Sequence, residues 1–159
     1  YRLTSLLLFL CVVSAGFSTE PTIYSVDKDV RALSEVKLFA FDMIGMLGIS
    51  RGEGLLWRLV KKEDALKYFM EVYNTGTPEA KVYALAYFHH SAPELFEICW
   101  KDNVGKYNPV VRSMSGCLSM EGSLFEQLIR IQKGEYDRYI EYALKRRGRP
   151  SEAIVSNSR

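Results

Sequence analysis

The chain has few of the residues from which most catalytic and metal sites are built. Its 159 residues include two histidines and three cysteines, and the common zinc-protease, nucleophile-elbow, dinucleotide-binding and calcium-loop motifs are absent. An excess of charge of one sign is also lacking, because 21 basic and 19 acidic residues leave a formal net charge of +2. This balance gives no electrostatic reason to bind DNA or RNA. We therefore expect no cofactor, no metal ion and no nucleic-acid partner, and we favour a non-enzymatic protein over an enzyme.

A hydrophobic run long enough to cross a membrane comfortably is missing as well. The strongest apolar run, Leu6–Val13, follows Arg2 and precedes small residues, which is the order typical of a secretory signal peptide. The run is short for a bilayer span. We predict a signal peptide over residues 1–18, cleaved after Ala15 or Ser18, and an exported protein, periplasmic or secreted, with no transmembrane span in the mature chain. The alternative is a lipid anchor at Cys11.

Two cysteines remain once the predicted leader is removed, Cys99 and Cys117. An even pair in an exported protein predicts a disulfide. Closing a loop of about 18 residues would stabilise the fold by roughly 3 kcal/mol in the chain-entropy model. The alternative is a pair of buried free thiols.

The stretch from Thr75 to Trp100 organises the predicted fold. Thr77 is a good N-cap and Pro78 occupies the first helical position, while Ser91 and Glu94 have the spacing of a second, capping-box start. Between these starts, residues 82–88 are apolar on nearly every face. A helix of this kind has to be covered on all sides, so we place it at the centre of the core.

Apolar periodicity predicts further helices around this one. They cover about Asp29 to Gly48, a short stretch from Leu55, Glu63 to Asn74, the second central helix to about Asn103, Ser123 to Gly134, and Glu135 to Arg147. Residues 107–117 lack a helical period and suggest an extended segment. We predict a single all-α domain over residues 19–147, with six or seven helices in antiparallel hairpins, and a mobile tail over residues 148–159.

Candidate functional residues lie in two turns. Residues 49–54 are glycine-rich and predict a connecting loop with Arg51 and Glu53 at its surface. His89 and His90 end the central helix, where one would cap carbonyl groups and the other would face solvent. These four residues form a candidate surface site, and a small metal- or thiol-dependent hydrolase using His89, His90 and Cys99 is the alternative function.

Aromatic residues are plentiful, with ten tyrosines, eight phenylalanines and two tryptophans. Exposed tyrosine and tryptophan are favoured in binding surfaces, and they favour a protein or peptide partner. A weaker hypothesis is contact with an anionic membrane surface through a basic run near the carboxyl end. The residues of that run are Lys145, Arg146, Arg147 and Arg149. A solvated helix end is the other interpretation of the same run.

Two resemblances accompany these patterns. The helix–turn–helix rhythm from Glu63 to Asn103 loosely resembles helical repeats of the HEAT or tetratricopeptide kind. The patterns Thr-Pro-x-Ala-x-x-Tyr-Ala-Leu at 77–85, Ser-Gly-Cys at 115–117 and Ile-x-x-Gly-x-Tyr at 131–136 resemble small exported bacterial helical proteins of uncharacterised role. The second resemblance implies a bacterial envelope protein and implies no reaction, ligand or site residue.

Overall fold

The structure, a computed structural model, describes residues 27–41, 48–106 and 108–145. The predicted signal peptide, the predicted tail and three of the four basic residues at 145–149 lie outside the described residues.

The described residues are mostly helical but include two β-strands, so the prediction of an all-α fold is wrong in that respect. The prediction of six or seven helices is confirmed, because the described ranges contain seven. In chain order the elements are α1 (Lys28–Ser34), α2 (Arg51–Leu59), α3 (Ala65–Thr75), α4 (Pro78–Ser91), α5 (Pro93–Asn103), β1 (Val110–Ser115), β2 (Leu118–Ser123), α6 (Leu124–Gln132) and α7 (Asp137–Lys145).

Helix α4 is the centre of the core, as predicted. The Thr77 side chain accepts a hydrogen bond from the N–H of Ala80 at 3.2 Å, and Pro78 opens the helix. All residues from Val82 to Phe88 are buried. The other six helices and β1 lie around α4 and contact it; for example, the ring of Phe69 on α3 stacks on that of Tyr87 at 4.1 Å.

The strands β1 and β2 form an antiparallel hairpin closed by a two-residue turn, Gly116-Cys117. Gly116 has a φ of +59°, a conformation that costs glycine little. On its other side β1 pairs with Phe39 in parallel. Phe39 donates its N–H to the carbonyl of Arg112 at 2.8 Å and accepts from the N–H of Met114 at 2.9 Å.

Three local predictions are wrong. The helix predicted from Asp29 to Gly48 ends at Ser34, because Phe39 pairs with β1 instead; residues 42–47 of that prediction lie outside the described residues. The predicted loop at 49–54 contains the first turn of α2, capped by the Ser50 side chain. The predicted capping box at Ser91 is not formed, since α4 runs through Ser91 and Ala92 is the N-cap of α5 without a side-chain hydrogen bond.

None of the described helices has the length and apolar character that crossing a membrane requires.

Candidate ligand cleft beneath the hairpin

A cleft of about 380 Å³ lies between the hairpin, the segment 39–41 and the start of α7. Its lining combines aromatic rings, two methionines, serines, two arginines and one glutamate. The lining residues are Phe39, Phe41, Ser113, Met114, Ser115, Met120, Arg130, Glu135, Tyr136, Arg138 and Tyr139.

Four rings form the aromatic part of the cleft. The rings of Phe41 and Tyr139 are stacked, with centroids 4.9 Å apart and planes 4° from parallel. Phe39 meets Tyr136 edge to face at 5.2 Å. The Tyr136 hydroxyl donates to buried Gln127 at 2.8 Å, and burial raises the pKa of Tyr136 to about 12. The hydrogen bond to Gln127 and the contacts with Phe39 and Phe41 hold the Tyr136 ring in place.

Two guanidinium groups border the rings. Arg130 lies 5.2 Å from the centroid of Tyr136 and pairs with Glu135 at 2.7 Å. Arg138 lies 4.6 Å from the centroid of Tyr139 and donates to its hydroxyl. Guanidinium groups stacked on rings in this way are pre-organised for planar acceptors such as carboxylates. Among the described residues, the lining includes these two cations and one carboxylate, Glu135.

The hairpin overhangs the cleft. Its inner face is buried at the base, where Val111 and Ser113 contact the core, and open near the turn, where Leu118 is 70% and Met120 41% exposed. Apolar side chains without cover next to a polar cleft are the kind of surface that a ligand can bury.

A buried hydrogen-bond network holds the segment 39–41 in place. The Tyr83 hydroxyl accepts from the N–H of Ala40 at 2.9 Å and donates to its carbonyl at 2.8 Å. Ser50 donates to the same carbonyl at 2.8 Å and also caps α2 by accepting from the N–H of Glu53. Gly52 makes room for this contact, because a Cβ there would lie 2.5 Å from the Tyr83 ring.

The four residues of the predicted surface site do not lie together on one surface. Arg51 is exposed, but Glu53 is only 4% exposed and turns into the interior, so its placement at the surface is wrong. His89 and His90 are partly buried at the far end of α4.

The residues of the alternative hydrolase have separate partners. Nδ1 of His89 lies 2.9 Å from Asp137 on α7, and the ring contacts Phe96 edge-on. His90 is paired with Ser91. Cys99 is buried, and burial raises the pKa of its thiol, which disfavours the nucleophilic thiolate. Within the described ranges, no group of three or more His, Cys, Asp or Glu residues is arranged to hold a metal ion.

The predicted disulfide is not formed. Cys99 is a buried free thiol on α5, whereas Cys117 is an exposed free thiol at the turn of the hairpin. The side-chain amide of Asn103 donates one hydrogen bond to the Cys99 carbonyl and one to the Tyr73 hydroxyl, each at 2.7 Å. The extended segment is joined to the core by β1 pairing with Phe39, without a covalent bond.

The cleft is not predictable from the sequence. The sequence shows a surplus of aromatic residues, but no local pattern joins Tyr136 and Tyr139 to Phe39 and Phe41. These pairs are far apart in the chain and meet only because segment 39–41 lies along β1. The surplus of rings was the one usable signal.

Comparison of the chain with known protein families, with curated proteins and with solved structures finds no match.

Proposed function

We propose that this chain is a non-enzymatic binding protein of the bacterial envelope and that the cleft beneath the hairpin is its binding site. The observation that carries the proposal is the combination, in one cleft of about 380 Å³, of an aromatic wall with two ring-stacked guanidinium groups. The volume lies in the range of small-ligand sites and suits one or two side chains of a partner.

The lining indicates the chemistry of the ligand. The rings and Met120 favour an apolar or aromatic group, and the two guanidinium groups favour an acidic one. An incoming carboxylate is expected to meet the guanidinium groups of Arg130 and Arg138, which lie over the rings of Tyr136 and Tyr139. A peptide segment that carries an acidic and an aromatic side chain supplies both groups.

The test is selection of phage-displayed random short peptides on the purified protein. We expect enriched peptides to contain acidic and aromatic residues and to lose binding to an Arg138→Glu variant. Arg31→Glu is the matched control, because Arg31 is an exposed arginine on α1, away from the cleft. Circular dichroism checks that both variants fold.

Absence of enrichment, or equal binding to both charge-reversed variants, would contradict the cleft as a peptide site. Enrichment lost in both variants would show that the peptides follow overall charge rather than the cleft, and it would count against the proposal in the same way.

The proposed location rests on the pattern of residues 1–18. Fusion of these residues to a reporter enzyme without its own leader is expected to export the reporter in a bacterial host. Replacing Leu7 and Leu8 by Arg should stop export, because it interrupts the apolar run that such leaders need.

The alternative, a metal- or thiol-dependent hydrolase, has less support. His89, His90 and Cys99 contact Asp137, Ser91 and the Tyr73–Asn103 pair respectively, and the raised pKa of Cys99 opposes its use as a nucleophile. Bound metal in the purified protein, or hydrolysis abolished by Cys99→Ser, would favour this alternative.

A further inference from the structure

The outer edge of β2 has backbone groups that face away from the sheet. In an antiparallel pair, successive residues turn their N–H and C=O groups alternately toward the partner strand and away from it. Arg112 and Met114 of β1 use theirs to bind Phe39. Their register partners on β2 are Glu121 and Ser119, which therefore point to the opposite, outer edge. No hydrogen bond to these two backbones occurs outside the strand pair among the described residues.

The open part of this edge has a defined length. At its carboxyl end the N–H of Ser123 is bonded to the Glu126 side chain at 2.8 Å. At its amino end the chain turns at Cys117. The residues available for pairing are thus 118–122.

Among the described residues, β2 lacks the usual protections of an edge strand. Such edges are commonly blocked by lysine, proline, a bulge or a covering element. β2 has no lysine or proline, and its pairing with β1 is regular from end to end. Its one charged residue, Glu121, faces Arg112 across the hairpin with 3.4 Å between the charged groups. On the other face Leu118 and Met120 are 70% and 41% exposed.

We propose that this edge pairs with the same edge of a second copy of the chain, antiparallel and with the two-fold axis at Met120. Ser119 then lies opposite Glu121 of the second copy, and each such pair exchanges two backbone hydrogen bonds. Leu118 lies opposite the second Gly122, which has no side chain to obstruct it. The two Met120 side chains meet at the axis, and an apolar strip runs across both hairpins.

The neighbouring registers are less favourable. Moving the axis to Glu121 places two carboxylates directly opposite each other, which is destabilising, and asks the Ser123 N–H to leave Glu126. If the axis lies at Ser119, only the two Ser119 residues pair with each other through edge-facing backbone groups. Glu121 then lies opposite Cys117, which belongs to the turn. The Met120 register uses both open residues without a like-charge contact, and this self-complementarity is why a second copy is the expected occupant.

Cysteine cross-linking tests the register. In a Cys11→Ser, Cys117→Ser background, Met120→Cys should form a disulfide-linked dimer under mild oxidation. Its symmetric partner lies in a non-hydrogen-bonded pair, with Cα atoms about 4.5 Å apart, which is within reach of a disulfide. Ser119→Cys in the same background is the control, because it lies opposite Glu121 and not opposite itself. Equal or absent cross-linking of the two variants would overturn the proposal.

The oligomeric state tests the surface itself. Sedimentation of the wild-type protein should show a concentration-dependent dimer, and Met120→Lys should shift it to monomer because two cations meet at the axis. Leu66→Lys is the control, since Leu66 on α3 is exposed to a similar degree, 45%, and it should leave the dimer intact. A protein that is monomeric at all concentrations, or a dimer that survives Met120→Lys, would rule out pairing at this edge.

Discussion

The Tyr83 hydroxyl both accepts from the N–H of Ala40 and donates to its carbonyl, at 2.9 Å and 2.8 Å. A side chain of the central helix thus satisfies both backbone groups of Ala40, as a neighbouring strand would. The segment that supplies Phe39 and Phe41 to the cleft is therefore bound by β1 on one side and by α4 on the other.

Removing this hydroxyl should destabilise the protein without emptying the core. Tyr83→Phe keeps the ring but leaves the buried Ala40 N–H without its partner, which costs about 1–3 kcal/mol. Urea unfolding measures the loss. Tyr68→Phe is the control, because the structure uses the ring of Tyr68 in a contact with Lys62 and we expect less than about 0.5 kcal/mol for a surface change. Equal stability of Tyr83→Phe and wild type would contradict the role of the network.

Two glycines of α2 should respond in opposite directions to replacement by alanine. A Cβ at Gly52 would lie 2.5 Å from the Tyr83 ring, whereas a Cβ at Gly54 meets nothing within 4 Å. Gly52→Ala should therefore destabilise by about 1–3 kcal/mol through overpacking. Gly54→Ala should stabilise by up to about 1 kcal/mol, because alanine is the better helix former. Thermal unfolding of the two variants compares them directly, and a similar shift in both would show that the close contact with Tyr83 does not matter.

Two serines with the same sequence signature should differ when replaced by alanine. Ser123 caps α6 and forms a complete capping box with Glu126, so Ser123→Ala should cost about 1 kcal/mol. Ser91 is exposed and lies within the last turn of α4, so Ser91→Ala should change stability little. Urea unfolding measures the stability of both variants. An equal loss of unfolding free energy in Ser91→Ala and Ser123→Ala would indicate that Ser91 also forms a capping box, contrary to the structure.

The stability of the amino-terminal helix should depend on pH. The side-chain hydrogen bond from Lys62 lowers the pKa of Asp27. A lowered carboxyl pKa stabilises the fold above the ordinary aspartate value of about 3.9, and the contribution is lost as the pH falls through the lower, folded pKa. Lys62→Met should therefore reduce the fall in unfolding free energy between neutral and strongly acidic pH. Glu35→Gln, in an exposed pair with Arg31, is the control and should leave the pH profile almost unchanged.

The core helix could be predicted because its signals are local. Thr77 and Pro78 indicate where α4 begins. The apolar residues of α4 lie on every face of the helix, so its burial can be predicted without knowing which elements surround it. Ser123 and Gly134 bound α6 in the same way. The helix from Asp29 was predicted too long because Val36 and Ala40 continue its period, while pairing with β1, far along the chain, decides the structure of Phe39.

The hairpin and the cleft depend on contacts that a local pattern does not contain. β2 has the sequence Leu-Ser-Met-Glu-Gly-Ser, in which only Leu118 and Met120 are apolar and both are exposed, so it lacks the buried alternation by which strands are recognised. It is a strand because β1 pairs with it. Gly52 and Gly54 favour a loop by sequence, yet both lie in α2. At position 52 only glycine leaves room for the Tyr83 ring.

Phe39 pairs with β1 at Ser113 and packs on Tyr136. A segment near the start of the described chain therefore depends on contacts with residues from its last third. Contacts of such sequence separation form slowly, because a long stretch of chain has to be closed first. Phe39 and Phe41 also pack on Tyr83 of α4, which precedes β1 and α7 in the chain. The cleft is therefore expected to take shape only once β1 and the start of α7 have joined segment 39–41, even where α4 is already folded.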